Sequence, residues 1–263
     1  MVKLSRQTAF NTHMSCIKRS ACALFTVLAL STSVLASDGG TPPAHAAGAT
    51  LKPYSAQYLT KTRGISLTLD RKLVRQASSS YTLTNGGSKL VVGFQETSVF
   101  KVESSRVIPG SYVYQGTGLM NRRREVQFTP GADTVRSLYK ENWYDLPYTD
   151  NTFDRMSQQE QVRLMLMEDD TPKESVTVTV ADGKRVKDYQ LDFVAEETLK
   201  TPMGQIKTLH FERLHDDPDR KSDTWLAPAW DYLMVKAVHI EDGSPVEINL
   251  TKASIGGVEL KGQ

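Results

Sequence analysis

The chain has 263 residues, 39% of them hydrophobic, 24% charged and 8% aromatic, with 32 basic against 30 acidic side chains and a formal charge of +2. That length allows one or two domains at roughly 100–200 residues each, and an all-β architecture commonly spends it on one. The near balance of charge excludes a strongly basic nucleic-acid binder, and the hydrophobic share excludes global disorder.

Lys18 and Arg19 form a positive region ahead of the short apolar stretch 20–30, and Val34-Leu35-Ala36 offers small residues for cleavage. This pattern predicts a signal peptide over residues 1–36 and a mature start near Ser37. Ala44-His45-Ala46 is a second possible cleavage site, and Met14 an alternative start. The apolar stretch falls well short of the ~20 residues that span a bilayer, and no later segment is more apolar, so no transmembrane anchor is expected. Both cysteines, Cys16 and Cys22, lie in the leader. The mature protein is therefore expected to enter an oxidising space without a disulfide. Arg19-Ser20-Ala21 before Cys22 does not fit a lipid-attachment site. Residues 37–52, rich in Gly, Ala, Pro, Ser and Thr, read as a flexible lead-in to one β-rich domain over 53–263.

From Pro53 onward the dominant hydrophobic period is two, which places alternate side chains on opposite sheet faces. Ile65, Leu67 and Leu69 alternate with polar residues, as do Val176, Val178 and Val180, Tyr189, Leu191 and Phe193, and Val246, Ile248 and Leu250. Asn85-Gly86-Gly87, Asp182-Gly183 and Asp242-Gly243 read as hairpin turns between such runs. Ser157-Gln-Gln-Glu160 reads as a capping box opening a helix to about Glu168, with Pro172 beyond it. The expected fold is mainly β: a single antiparallel, strongly curved sheet, or an open barrel or spiral, with one short central α-helix packed on or plugging it.

Candidate chemistry is sparse. His210-Phe-Glu212 and His239-Ile-Glu241 lack the paired cysteines that would complete a zinc shell. Asp216, Asp217 and Asp219 after His215 lack calcium-loop spacing, since Lys221 and Ser222 fall where an oxygen ligand and a glycine belong; a solvated hairpin tip fits better. Ser98 and Lys101 match a Ser-x-x-Lys pattern, but residues three apart on a strand point to opposite faces. Neither a nucleophile elbow, a P-loop nor a dinucleotide fingerprint is present, so no cofactor is expected. In the run Arg122-Arg123-Arg124, alternation puts Arg122 and Arg124 on one side, where two guanidiniums can converge on a carboxylate or phosphate. The same run also fits a charged, aggregation-resistant edge strand. Tyr112 and Tyr114 share a strand face, and with Trp143, Trp225 and Tyr232 they either line a groove or close the ends of a core.

Val107-Ile-Pro-Gly-Ser-Tyr112 followed by the Arg-rich strand to Phe128, Asp154-Arg-Met-Ser157 with Gln161 and Arg163, Thr201-Pro-Met-Gly204, and Thr224-Trp-Leu-Ala-Pro228 leading to Tyr232 and Val235 carry a family resemblance. From about Tyr54 to Leu250 the chain resembles the exported bacterial family of domain of unknown function 3108. The resemblance implies a periplasmic location and supplies no catalytic residues. The Trp-Leu-x-Pro turn is also similar to an element of curved, partly open sheets in envelope lipoprotein carriers, a likeness of fold alone.

The expected function is a periplasmic, non-catalytic binding or scaffolding protein for an envelope lipid, lipoprotein, glycan or peptide. Arg122, Arg124, Tyr112, Tyr114, Trp143, Trp225 and Tyr232 are its candidate ligand-binding residues. The alternative is a metal-independent hydrolase or lyase acting on an envelope polymer. It would use carboxylates among Glu141, Asp145, Asp150 and Asp154 near Trp143 and Tyr148. A third reading is an interaction protein docking a partner along the Arg122–Arg124 strand.

Overall fold

The computed structural model describes residues 48–62, 65–89, 92–118, 121–169, 174–241 and 243–263. The expected signal peptide and most of the lead-in lie outside these residues. The lead-in's last part is anchored: Leu51 is buried and its carbonyl accepts the Tyr81 hydroxyl at 3.1 Å.

Eight strands come first: β1 (Tyr54–Thr62), β2 (Ile65–Arg75), β3 (Ser80–Lys89), β4 (Val92–Glu103), β5 (Arg106–Gly118), β6 (Arg123–Gln127), β7 (Thr134–Tyr139) and β8 (Asn142–Pro147). The short β9 (Thr152–Phe153) and the helix α1 (Ser157–Glu168) follow. The second half contributes β10 (Ser175–Asp182), β11 (Arg185–Thr201), β12 (Gly204–Arg213), β13 (Lys221–Ala227), β14 (Leu233–Glu241), β15 (Ser244–Ile255) and β16 (Val258–Glu259). Each half is a meander of antiparallel neighbours, and β1 pairs with β15 to join them into one sheet. The exception to antiparallel pairing is β9, which runs parallel to β10.

The path through the sheet begins at β8 and ends at β9. These strands are neighbours in sequence, separated by residues 148–151 alone. Five peptide steps reach at most about 18 Å, so the covalent chain holds the two ends of the ribbon close together. The ribbon therefore rolls into a barrel-like form that backbone hydrogen bonds do not close. Side chains zip the seam. Asp182 of β10 accepts Arg124 of β6 at 3.1 Å and Arg155 at 3.3 Å, while Lys184 lies over the rings of Tyr139 and Tyr144.

Two expectations need correction. Asn85-Gly86-Gly87 does not turn the chain; it lies inside β3. A Cβ at Gly86 would meet the Phe94 carbonyl oxygen at 2.7 Å, and one at Gly87 the Thr68 carbonyl oxygen at 2.3 Å. These glycines let neighbouring backbones approach closely where the sheet bends. Asp182-Gly183 does form the β10–β11 tip, with Gly183 at φ 64°, and Gly243 turns β14 into β15 at φ 68°; Asp242 lies outside the described residues. The arginine run sits where β6 is only half covered: β6 lies between β5 and β7, but β7 pairs with Glu125–Gln127 alone, so Arg123 and Arg124 have a strand partner on the β5 side only.

The helix spans the expected residues, but its cap differs. Asp154 Oδ1 accepts the backbone N–H groups of Met156 and Ser157, while Asp154 Oδ2 accepts the Ser157 and Ser98 hydroxyls. Glu160 takes no part in a capping box. It points into the sheet, accepting the Tyr54 hydroxyl at 2.8 Å, Arg71 at 3.2 Å and Arg163 at 2.6 Å. Arg163 also donates to the Asp231 carbonyl, and the Val107 N–H donates to Gln161. With Leu164 and Leu166 buried, α1 is pinned within the curve by β1, β2, β4, β5 and the turn after β13.

A methyl at Gly87 must displace backbone rather than a flexible side chain, so Gly87→Ala should lower stability by about 1–3 kcal/mol, read as a lower urea midpoint. Burial opposes the charge on Glu160, but Arg163 and Arg71 outweigh it and hold the carboxyl below its ordinary 4.5. Its folded pKa thus lies below its unfolded value, so its contribution is full above pH 4.5 and is lost as acid protonates the folded-state group. Glu160→Gln should cost about 3–5 kcal/mol at pH 7 by stranding two buried guanidiniums. It should also flatten the acid limb of a stability–pH profile.

Candidate functional site

The interior of the rolled sheet holds a cavity of about 990 Å³. Its size reaches the upper end of the ≈ 300–1,000 Å³ typical of small-molecule sites. Tyr54 and Tyr58 of β1, Leu69 and Arg71 of β2, and Phe94 and Glu96 of β4 form one side. The meander from β10 to β15 forms the other, and Gln158, Glu160, Val162 and Arg163 of α1 project into the space. Apolar walls alternate with charges because each inward strand position can be either. Ten arginines and lysines but six aspartates and glutamates line it, so the cavity is cationic.

At its base lies the Arg71–Glu160–Arg163 cluster, two guanidiniums to one carboxylate, with Arg163 also 4.9 Å over the Tyr54 ring. Arg163 Nη2 is buried without a hydrogen-bond partner. A buried cation excess with an unused donor raises the local potential for anions. Burial pushes the Tyr58 hydroxyl up to about 12, so it stays protonated and donates to the Met234 carbonyl at 3.0 Å.

The Thr224-Trp-Leu-Ala-Pro228 segment runs through β13 into a 3-10 turn, Pro228–Trp230, after which Asp231 and Tyr232 take φ values of 49° and 56°. Left-handed backbone is unfavourable for a bulky residue and persists only where surroundings enforce it. Here the Tyr232 N–H bonds the Ala227 carbonyl at 2.9 Å, the Asp231 carbonyl receives Arg163, and the Tyr232 ring lines the cavity.

At the start of the same strand, Ser222 of β13 bridges two imidazoles: its Oγ lies 2.9 Å from His215 Nε2 and 2.7 Å from His239 Nδ1. Burial, then the nearby Arg213, His239, Arg220 and Lys187, lower the His215 pKa from 6.5 and favour its neutral form. All three bridged residues line the cavity.

A second, smaller cavity of about 70 Å³ is lined by Tyr112, Tyr114, Arg122, Arg124 and Arg155. Four of the seven residues expected from sequence thus meet in one place. Arg124 and Arg155 line both cavities, and Tyr232 lines the large one. Trp143 and Trp225 line neither. Trp143 is 39% exposed on β8 beneath Arg136, whose guanidinium sits 4.7 Å from the ring. Trp225 stacks on His210 at 4.3 Å, donates to Glu197 and carries Lys236 above its ring.

The four carboxylates considered for glycosidic chemistry have separate settings. Asp154 is buried as the helix cap, and burial raises its pKa against the opposing hydrogen bonds from Ser157, Met156 and Ser98. Asp145 pairs loosely with Arg136, Asp150 with Arg106, and Glu141 is exposed at the β7–β8 turn. Ser98 is buried against Asp154 while Lys101 is exposed. No group of three or more His, Cys, Asp or Glu side chains arranged to hold a metal is found among the described residues. No helix among them is long and apolar enough to cross a membrane.

Arg71, Arg155, Arg163, Asp182 and the His215–Ser222–His239 bridge escape sequence reasoning. Arg163 sits on a helix whose interior face otherwise reads as apolar, and Asp182 reads as a turn residue. A signal did exist for two of them: Arg155 and Arg163 fall within the segment that carries the family resemblance.

The chain is similar in fold to the crystal structure of a beta-barrel-like protein of domain of unknown function DUF1849 from Brucella abortus. The two share 12% sequence identity at a TM-score of 0.54, over 79% of this chain and 99% of that one. No curated protein matches. The family model described as protein of unknown function, DUF3108, matches residues 75–251, and with most of its sheet inside that match the chain belongs to the DUF3108 family.

Proposed function

We propose that the protein is an exported, periplasmic receptacle that binds an amphipathic molecule of the cell envelope within its rolled sheet. The observation that carries this reading is the large interior cavity, whose lining interleaves apolar rings and aliphatic side chains with an excess of cations. A purely apolar guest would leave those cations desolvated without partners, and a purely polar one would leave Tyr58, Leu69, Phe94, Leu226 and Ile248 facing it without apolar contact. An acidic amphiphile satisfies both. The leader-like first 36 residues support export, and a seam fastened by side chains instead of a ladder supports entry of such a molecule without breaking strand pairing.

Purification from the native envelope followed by solvent extraction and mass spectrometry should return a stoichiometric amphiphile. Ala237 lines the cavity. Ala237→Trp, which fills space there, should reduce the retained amount at least about tenfold, the loss of ~1.4 kcal/mol, while leaving the β-sheet spectrum unchanged. An empty native protein, or undiminished retention in Ala237→Trp, would sink the reading.

A second reading, hydrolysis, rests on the Ser222 bridge. A hydroxyl has one proton, so Ser222 donates to one imidazole while the other donates an N–H to its oxygen. A neutral histidine poised to take that proton is the arrangement from which serine nucleophiles are activated. An active-site fluorophosphonate should then label Ser222, with His215→Ala abolishing the labelling. Absence of adduct at Ser222 after prolonged exposure removes this reading and leaves the receptacle untouched.

A further inference from the structure

The small cavity is a better-defined site than the large one, and its chemistry narrows the guest. Three guanidiniums, those of Arg122, Arg124 and Arg155, surround it together with the rings of Tyr112 and Tyr114. The carboxylates near them are already engaged. Asp182 is shared by Arg124 and Arg155; Glu96 accepts Tyr112 at 2.6 Å and Asn85 at 3.0 Å; Glu125 is held by Arg123 and Gln127. Glu96 keeps its charge, because both of its donors are neutral, so two carboxylates serve three cations and one formal positive charge remains.

The geometry is also prepared. Arg122 lies over the Tyr114 ring at 5.5 Å, and that ring is stacked on Phe94 at 5.9 Å, so an aromatic pair supports the cation. Asp182 fixes Arg124 and Arg155 from the seam side. At about 70 Å³ against about 990 Å³, the small cavity suits a compact head group and the large one a ligand's body. Forked guanidiniums recognise oxyanion groups with paired N–H donors. A carboxylate offers two acceptor oxygens to the three guanidiniums, whereas a phosphate monoester offers three.

We propose that Arg122, Arg124 and Arg155 form the seat for a phosphate monoester head, with the ligand's apolar body lying in the large cavity that shares Arg124 and Arg155. This rests on the receptacle reading above and names its ligand class as a phosphate-headed amphiphile. The phosphate chemistry is common to a lipid headgroup and to free phosphate, and the probes separate them.

Calorimetric titration of the purified protein with dodecyl phosphate, dodecyl maltoside and inorganic phosphate, each below any micelle-forming concentration, tests the seat. Dodecyl phosphate should bind at least about tenfold more tightly than the maltoside, the least expected of a hydrogen bond to a charged group at ~1.5–3 kcal/mol. Arg122→Ala keeps the Asp182 bridge and should remove that preference while leaving maltoside binding unchanged; Arg124→Lys, which keeps the charge but loses the fork, should reduce it partly. Binding of inorganic phosphate that Arg122→Ala abolishes, without tighter binding of dodecyl phosphate, supports the seat and overturns the receptacle. Equal affinity for phosphate and maltoside amphiphiles, equal loss of both in Arg122→Ala, or no binding of either phosphate overturns the seat. Tight maltoside binding in those cases leaves the receptacle standing.

Discussion

Everything inside this molecule is organised around one buried ionic cluster: Glu160 on the helix, held between Arg71 of the sheet and Arg163 of its own helix, with the Tyr54 hydroxyl on the same carboxylate. Burying ions is expensive, and the attraction between them offsets that only when geometry is good and the remaining donors are satisfied. The cluster meets the first condition with contacts of 2.6–3.2 Å and fails the second at one atom, Arg163 Nη2. A helix bound by apolar contacts alone could slide along the concave face. Fixed charges specify one rotation and one depth, and that depth decides how much space remains for the cavity.

The sheet supplies the complementary constraint. Two meanders meet at β1 and β15 and are brought round until β8 and β9, consecutive in the chain, stand at opposite ends of the strand order. Glycines within β3 admit the close backbone approach that bending requires, so curvature is written into backbone sterics as well as into twist. Helix and sheet thereby enclose a chamber whose wall is mixed in character. That mixture, more than any single side chain, motivates assigning the protein a guest instead of a reaction.

Much of the architecture was legible in the sequence because period-two alternation survives any curvature: Val176, Val178 and Val180 face inward as their spacing demands. Helix α1 was legible from its length and breaker, but its cap was not, because Ser157 and Glu160 satisfy the motif on paper while Asp154 and Arg71 compete for them in space. Asn85-Gly86-Gly87 misled for a similar reason. Glycine pairs mark tight turns and close backbone contacts alike, and the distinction lies in how the adjacent strands β2 and β4 lie against the pair, which the pair's own residues do not encode. At the candidate site, alternation correctly joined Arg122 to Arg124 and Tyr112 to Tyr114. Arg155 and Asp182 arrive there through the rolling of the ribbon, a long-range event that strand alternation does not register.

The side-chain seam separates this ribbon from a barrel fastened by its backbone. Ladder hydrogen bonds have one register, so a closed barrel has a fixed girth. Here the edges are joined by Asp182 with two arginines and by Lys184 resting on tyrosine rings, contacts that tolerate sliding and rotamer exchange. The girth of the roll is thus set by side-chain contacts instead of by a ladder register. Because the fastening is partly ionic, rising ionic strength weakens it while leaving the ladders between neighbouring strands intact.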